Sequence, residues 1–140
     1  MKGYVASIEE PTEENRDFRR VLYTGQHLQL VLMALPPGKN IGTESHAAHD
    51  QFFRIEKGRG EIVIDGTTTP VKSADGIVVL AGALHNLTNT GNQPLRLYTL
   101  YDPPNHIDHL VLGNKSDAEA SYEVFDGMPT EPPAPQPATT

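Results

Sequence analysis

Short apolar segments separated by turn residues make up most of the chain between Arg19 and Tyr101. Runs of about four to eight residues rich in β-branched and aromatic side chains are typical of strands. The clearest run, His27–Leu35, is apolar on both faces, so we expect a central strand buried between two layers. The predicted strands are 19–23, 27–35, 50–57, 61–65, 67–71, 77–80, 84–89 and 95–101.

Turn residues divide these segments, and no long helical pattern interrupts them. Asp65–Gly66 is a strong hairpin signal, and Pro36–Gly38 and Ser73–Gly76 mark further turns. Many short strands at close spacing predict an all-β fold, which is either a sandwich or a barrel.

The two ends of the chain have a different character. Residues 1–18 show little periodicity and are expected to form an N-terminal arm, followed by a β-barrel over 19–112. Residues 113–140 are expected to form a C-terminal extension, in which Ser116–Glu119 matches a capping box and predicts a short helix. The Pro-rich tail that begins near Thr130 is expected to be extended or disordered.

Composition narrows the classes of protein that remain. The 140 residues suffice for one domain with a single core. The net charge is −7, from 11 basic and 18 acidic residues without a basic run, which disfavours a nucleic-acid partner. The absence of cysteine excludes disulfides, zinc fingers and cysteine nucleophiles. The longest apolar run, 30–35, is too short to span a membrane, so we expect a cytoplasmic protein without a membrane partner.

A concentration of polar side chains precedes the strand predicted at 50–57. Within eight positions the chain carries five groups that can bind a metal or a ligand: Glu44, His46, His49, Asp50 and Gln51. Glu44 and His46 are two residues apart and would share one face of a strand. Gln51 would share its face with Phe53 and Ile55, which places a polar tip beside an apolar wall. A barrel mouth presents ligands in this way, so the segment predicts a binding site.

Two segments resemble the two sequence motifs of the cupin superfamily. Gly42–Gly60 is similar to a motif with two histidines one residue apart, then a glutamate, then a glycine seven residues on. Asp75–Asn89 is similar to Pro-x-Gly-x-x-His with an asparagine four residues after the histidine, although Leu80 stands where proline is usual. More narrowly, the chain resembles small single-domain cupins with a Glu-x-His…Asp-Gln-Phe first motif.

The resemblance implies a single-domain cupin jelly-roll barrel, or double-stranded β-helix, with a metal site. Counting back from Gly58 places Gln51 at the glutamate of the motif, and Glu44 and His46 at its two histidines. With His85 from the second motif, the implied metal ligands are Glu44, His46, Gln51 and His85. They would hold one divalent transition metal ion per subunit, either Mn, Fe, Zn, Ni or Co. The set keeps one negative charge. Glu44 supplies a carboxylate where the motif has a histidine, and Gln51 supplies a neutral amide where the motif has the glutamate.

Several of these side chains have a second interpretation. Glu44 is either a ligand or a carboxylate that orients the histidine two residues later. His49 can join the site or replace Glu44 in it, although a solvated histidine at the rim is the commoner role. Glu44 and His49 are the candidate catalytic acid/base groups. His106 and His109 lie in a Pro-rich segment beyond the strands and are expected to be surface groups.

Three functions remain open at this point. The first is a metal-dependent enzyme, an oxygenase or an isomerase/lyase, whose substrate is a small polar molecule. The second is a non-catalytic module that binds or senses a small sugar-like ligand, and the third is a structural barrel with a vestigial site. Many barrels of this kind bury a sheet edge against a second subunit, so a homodimer is also expected.

Overall fold

Nine strands and two short helices form the part of the chain that this computed structural model describes, residues 3–121 and 123–131. They are, in chain order, α1 (Glu9–Glu14), β1 (Arg19–Thr24), β2 (Gln29–Leu35), β3 (Asp50–Lys57), β4 (Arg59–Ile64), β5 (Thr67–Lys72), β6 (Gly76–Val79), β7 (His85–Asn89), β8 (Leu95–Asp102), β9 (Val111–Leu112) and α2 (Lys115–Ala120). The all-β prediction is confirmed.

Two antiparallel sheets enclose one apolar core. The larger sheet has the strand order β6-β3-β8-β2-β1-β9, and the smaller has the order β5-β4-β7. Phe53 and Leu97 from the larger sheet and Ile62 and Leu87 from the smaller belong to the same buried cluster. Side chains that alternate along each strand therefore meet between the sheets, as in other sandwiches and barrels.

The predicted central strand is β2, which lies between β1 and β8. All seven of its residues are buried, which agrees with an apolar pattern on both faces. The strand begins at Gln29, two residues later than predicted, and Leu28 before it is exposed. The burial of β2 comes from neighbours within the same chain.

β3 has the predicted bounds and the alternation that a half-buried strand requires. Gln51, Phe53 and Ile55 point inward and are buried, whereas the side chains between them are partly exposed. Gly58 then turns the chain into β4 with a φ of +94°. A Cβ at this position would lie 2.8 Å from the carbonyl oxygen of Pro94, so only glycine permits this close approach.

The segment after β8 folds back over one end of the barrel. The buried side chain of Gln29 donates to the His106 carbonyl (2.7 Å) and accepts from the backbone N–H groups of Asn105 (3.1 Å) and His106 (2.9 Å). His106 Nδ1 in turn donates to Glu123 Oε1 at 2.5 Å. The surface position predicted for His106 is therefore wrong, since its residue is only 5% exposed, whereas His109 is exposed as expected.

The two helices lie in the terminal segments. α1 was not predicted; its Thr12 is fully buried, and the guanidinium of Arg96 on β8 donates to the Glu13 carbonyl. α2 confirms the short C-terminal helix, but its N-cap is Asn114, whose side chain accepts from the Asp117 N–H, and not the expected Ser116. The Pro-rich tail over 132–140 lies outside the described residues, and the domain boundaries at 18 and 112 stay predictions.

Both helices in the described residues are six residues long, which is too short to cross a membrane.

Candidate metal centre

Backbone pairing brings the two motifs together. The Glu44 N–H donates to the His85 carbonyl (2.9 Å), and the His85 N–H donates back to the Glu44 carbonyl (2.8 Å). Earlier in the same loop, the Ile41 N–H donates to the Leu87 carbonyl at 3.0 Å. The loop thus runs antiparallel to β7, and this pairing sets the first motif's polar side chains beside the second motif's histidine.

Three of the four predicted ligands converge. Glu44, His46 and His85 each offer a ligand atom, and these three atoms lie within 4.8 Å of one another. Glu44 Oε2 and His46 Nε2 are 3.1 Å apart, and the rings of His46 and His85 are 5.7 Å apart between centroids. The spacing places a carboxylate and two imidazoles around one small volume.

His85 has a nitrogen that is ready to act as a ligand. The residue is 2% exposed, and its Nδ1 donates to the Ala83 carbonyl at 3.1 Å. Its Nε2 is buried and has no hydrogen-bond partner among the described residues. A buried polar atom without a partner costs about 1–3 kcal/mol, and histidines that bind metals usually donate their other ring N–H to a carbonyl in this way.

Gln51 shows the same feature from the opposite sheet. It is 3% exposed, and its Nε2 donates to Thr99 Oγ1 at 2.9 Å. Its Oε1 is buried and also lacks a hydrogen-bond partner in the described part of the chain. Gln51 is two residues from Phe53 on the inward face of β3, and the Phe53 ring lies 6.1 Å from the His85 imidazole.

These donors fit a divalent metal ion. Nitrogen from imidazole and oxygen from a carboxylate and an amide suit the later first-row transition metals. A cation would satisfy the buried lone pairs of His85 Nε2 and Gln51 Oε1, which hydrogen-bond donors of the described residues leave unused. The fit rests on these two atoms and on the short spacing of Glu44, His46 and His85.

His49 lies beside this group but does not belong to it. Its ring centroid is 5.8 Å from that of His46, and its Nδ1 donates to the Pro103 carbonyl at 2.6 Å. The neighbouring Asp50 begins β3, and its Oδ1 accepts from the Ala81 N–H at 2.8 Å, which ties this end of the strand to the loop before β7. The structure therefore places His49 at the rim of the site.

The Glu44 carboxyl is ionised at neutral pH. Burial by itself raises its pKa, but the hydrogen bond from His46 and the positive charges nearby outweigh that effect. Arg19 is one of these charges. The net result is a Glu44 pKa below its ordinary value, which suits a metal ligand or a proton acceptor.

A cavity of about 230 Å³ opens onto Glu44 and His46. Its other walls include Arg19, His106 and Glu123, which sequence reasoning did not place in the site. A charged residue at the start of an otherwise apolar strand was the available signal for Arg19. For His106 and Glu123 no local signal existed, because each is brought to the cavity by contact with the other.

A profile of the cupin domain family matches residues 31–101. Among curated proteins, the Uncharacterized protein YrkC of Bacillus subtilis is 44% identical over 128 residues, which cover 87% of this chain and 69% of YrkC. The chain therefore belongs to the cupin domain family.

Solved structures agree with this assignment. A crystal structure of a Bacillus halodurans protein has 41% sequence identity and a TM-score of 0.84, with 86% of this chain and 96% of that chain covered. A predicted oxalate decarboxylase from Thermotoga maritima matches with a TM-score of 0.53 and 20% identity, over 66% of this chain and 96% of its own. The second likeness concerns the fold alone. The cupin jelly-roll barrel predicted from the sequence is confirmed.

Proposed function

We propose that this chain is a metal-dependent enzyme that acts on a small polar molecule at the mouth of the barrel, as an oxygenase or an isomerase/lyase. The observation that carries the proposal is the pair of buried, unpartnered atoms, His85 Nε2 and Gln51 Oε1, within the described residues. They accompany the closely spaced Glu44 and His46. A purely structural core would pair or exclude such atoms.

Glu44, His46, Gln51 and His85 would hold one divalent transition metal ion per subunit, either Mn, Fe, Zn, Ni or Co. When bound, such an ion supplies Lewis-acid or dioxygen chemistry. Two histidines and one carboxylate resemble the ligand set of non-haem iron oxygenases, to which Gln51 adds a neutral oxygen.

The remaining groups would handle protons and exclude water. The lowered pKa of Glu44 makes its carboxylate a proton acceptor at neutral pH rather than a proton donor. His49 donates from Nδ1 to the Pro103 carbonyl, so its Nε2 is the proton-accepting nitrogen at the rim. The segment that carries His106 and Glu123 forms one wall of the cavity and would limit the access of water to it.

The proposal is tested by metal content together with turnover in His46→Ala, with His49→Ala as the matched control. We expect about one metal ion per chain in the wild type and in His49→Ala, and less than about a tenth of that in His46→Ala, because a ligand matters more than an outer neighbour. Turnover on a panel of small polar substrates, or dioxygen uptake, should rise with metal loading. Turnover should fall in both His46→Ala and His49→Ala.

Two outcomes would contradict the proposal. Equally low metal in the wild type and in His46→Ala would remove the metal site. Full metal occupancy without turnover on any substrate would favour a non-catalytic binding module. The homodimer and the cytoplasmic location remain predictions, for which light scattering and cell fractionation are the direct tests.

A further inference from the structure

We propose that the cavity beside the metal centre takes a small ligand bearing a carboxylate, and that the guanidinium of Arg19 binds this carboxylate. The inference rests on the proposed function in placing the substrate in the same cavity, and it adds the chemical class of that substrate. It starts from an arginine that the fold buries without a counter-ion.

Arg19 is held rigidly at the start of β1. Its backbone pairs with Met33 on β2 and with Leu112 on β9. The residue is only 9% exposed, and its guanidinium carbon lies 5.4 Å from the centre of the Phe18 ring. The side chain also lines the cavity that reaches Glu44 and His46. It is therefore pre-positioned at the wall of the site.

The guanidinium of Arg19 has no partner among the described residues. It forms no hydrogen bond and no ion pair there, and its Nε is fully buried without an acceptor. Two other arginines also have a buried Nε without a hydrogen bond, but each has a polar partner: the guanidinium of Arg96 donates to the Glu13 carbonyl, and Arg54 Nε lies within ion-pair distance of Glu56 Oε1 (3.4 Å). The guanidinium thus reaches the cavity with its Nε unsatisfied and with no carboxylate of the described residues within ion-pair distance, and an anion in the cavity would supply the missing partner.

The carboxylates that already line the cavity have other partners. Glu123 accepts from His106 through Oε1 (2.5 Å) and from the Ile107 N–H through Oε2 (2.8 Å). Glu44 faces His46 at 3.1 Å. Glu119, the third carboxylate of the lining, lies 3.8 Å from Lys115 Nζ. The charges of these three carboxylates lower the attraction for an anion, but none of them comes within ion-pair distance of Arg19. The planar fork of its guanidinium matches a carboxylate bidentately, which explains the choice of ligand.

Size and charge at the entrance limit the ligand further. The cavity of about 230 Å³ is smaller than the roughly 300–1,000 Å³ typical of pockets for drug-sized ligands. Lys115 stands at its edge, where Nζ donates to Asn40 Oδ1 (2.9 Å) and lies 3.8 Å from Glu119. A small mono- or dicarboxylate fits these limits.

Calorimetric titration of carboxylates of two to six carbons, each beside its neutral amide, tests the proposal, with malonate and malonamide as the leading pair. The comparison is made for wild type, Arg19→Met and Arg20→Met. Arg20 is the matched control, because its side chain is 53% exposed on the same strand and lies near Asp17. We expect malonate to bind the wild type and Arg20→Met alike, and Arg19→Met about 10- to 100-fold more weakly. Malonamide should bind all three at least about tenfold more weakly than malonate binds the wild type.

Stability separates a binding role from a structural one. Arg19→Met removes a guanidinium that forms no hydrogen bond or ion pair with the described residues, but it also removes a positive charge that favours ionised Glu44 and Glu123. Because these two effects oppose each other, the ligand-free variant should unfold at about the same temperature as the wild type. A clear loss of thermal stability would assign Arg19 to the fold and overturn the inference. Arg19→Lys provides a second variant, since a lysine lacks the fork; it should also bind malonate about tenfold or more weakly.

The titrations are run on metal-loaded and on chelator-treated protein. Malonate binding that depends on Arg19 in metal-free protein, together with no metal uptake, would sustain this inference while the proposed function failed. Three results, each obtained with normal metal uptake, would overturn this inference alone. They are equal binding of acids and amides, equal binding of malonate by the wild type and Arg19→Met, and no binding of any carboxylate to the wild type. Inorganic phosphate binding more tightly than every carboxylate would overturn the assigned ligand class.

Discussion

Two groups of three side chains in the described part of the chain come close enough to hold one metal ion, and they differ in almost everything else. One is Glu44, His46 and His85; the other is Glu9, Glu13 and Glu56. In both groups the potential ligand atoms lie within 4.8 Å of one another. Proximity alone therefore does not distinguish them.

The differences lie in chemistry, burial and the backbone that positions each group. The second group contains carboxylates only, on α1 and β3; Glu9 is exposed, the other two are partly buried, and Glu56 already lies near Arg54. The first group mixes nitrogen and oxygen, and paired backbone strands hold it where His85 Nε2 has no hydrogen-bond partner in the described residues. A ligand site is thus recognised by a buried ligand atom without a partner, and clustered carboxylates alone do not define one.

The largest expected effect comes from removing the buried nitrogen. His85→Ala should weaken metal affinity by more than about 100-fold, since losing even an outer-shell partner costs about 10–100-fold. A competition assay against a chelator measures the affinity. Glu13→Gln is the matched control, because it alters the other group and leaves the Glu13 backbone carbonyl that Arg96 contacts. Equal affinity in the wild type and His85→Ala would erase the contrast between the two groups.

The next effect tests whether Gln51 belongs with the buried group. Gln51→Leu should lower metal affinity by about 10- to 100-fold. In metal-free protein it should cost no more than about 1–2 kcal/mol of stability, because it removes an unpartnered acceptor along with one hydrogen bond to Thr99. Chemical denaturation and metal competition on the same samples give both quantities. A large loss of stability with unchanged metal affinity would make Gln51 a purely structural residue.

A smaller effect concerns pH, because only the cavity end of the molecule carries the His106–Glu123 pair. Burial lowers the pKa of His106 below its ordinary 6.5. Burial opposes ionisation of Glu123, but the hydrogen bonds from His106 and the Ile107 N–H bring its pKa below the ordinary 4.5. As the pH is lowered, His106 and Glu123 are therefore protonated at a higher pH in the unfolded chain than in the folded chain. The free energy of unfolding should fall as the pH drops below about 6.5.

Denaturation at a series of pH values measures this slope. Glu123→Gln should flatten the slope below about pH 4.5, where Glu123 itself titrates. Between about pH 4.5 and 6.5 it should steepen the slope, because His106 loses the carboxylate that favours its protonated form. Glu119→Gln, in the same C-terminal segment but exposed, should keep both parts of the slope. Arg19 and Glu44 are the other charges that act on His106, so they must stay unchanged in both variants. Identical slopes in Glu123→Gln and the wild type would show that this pair does not couple folding to pH.

The smallest effect is expected at the all-carboxylate group of Glu9, Glu13 and Glu56. The double variant Glu9→Gln/Glu13→Gln should bind metal as the wild type does, and its stability should change by no more than about 0.5 kcal/mol, as is usual for surface substitutions. The same competition assay and denaturation experiment measure both. A loss of metal in this variant would mean that the all-carboxylate group contributes to binding, against the contrast drawn above.

What the sequence predicts well is what local pattern determines. β3 starts and ends at Asp50 and Lys57 as predicted, and the Asp65–Gly66 hairpin forms with positive φ at both residues, because alternation and turn chemistry act over a few positions. The prediction that Glu44 and His85 belong to one site followed from the resemblance to known cupin motifs. No local pattern connects these two residues.

Two of the failures, at His106 and Arg19, share one physical cause, which is a partner far away in sequence; the misplaced N-cap of α2 is a separate and local failure. His106 can be buried because its Nδ1 donates to Glu123 and its backbone N–H donates to the Gln29 side chain. The sequence around His106 contains no signal for either partner. The N-cap of α2 lies at Asn114 although a capping-box pattern favoured Ser116, two residues later. Arg19 is at the cavity because β9 and the C-terminal segment close over β1.

The most direct test of the central claim is an anomalous-difference map from crystals of the protein loaded with manganese or zinc, recorded at that metal's absorption edge. The account predicts one strong peak per chain, about 2.0–2.2 Å from Glu44 Oε2 and from the Nε2 atoms of His46 and His85, with Gln51 Oε1 next to it. A peak at Glu9, Glu13 and Glu56 instead, or no peak beside His85 in fully loaded crystals, would contradict it.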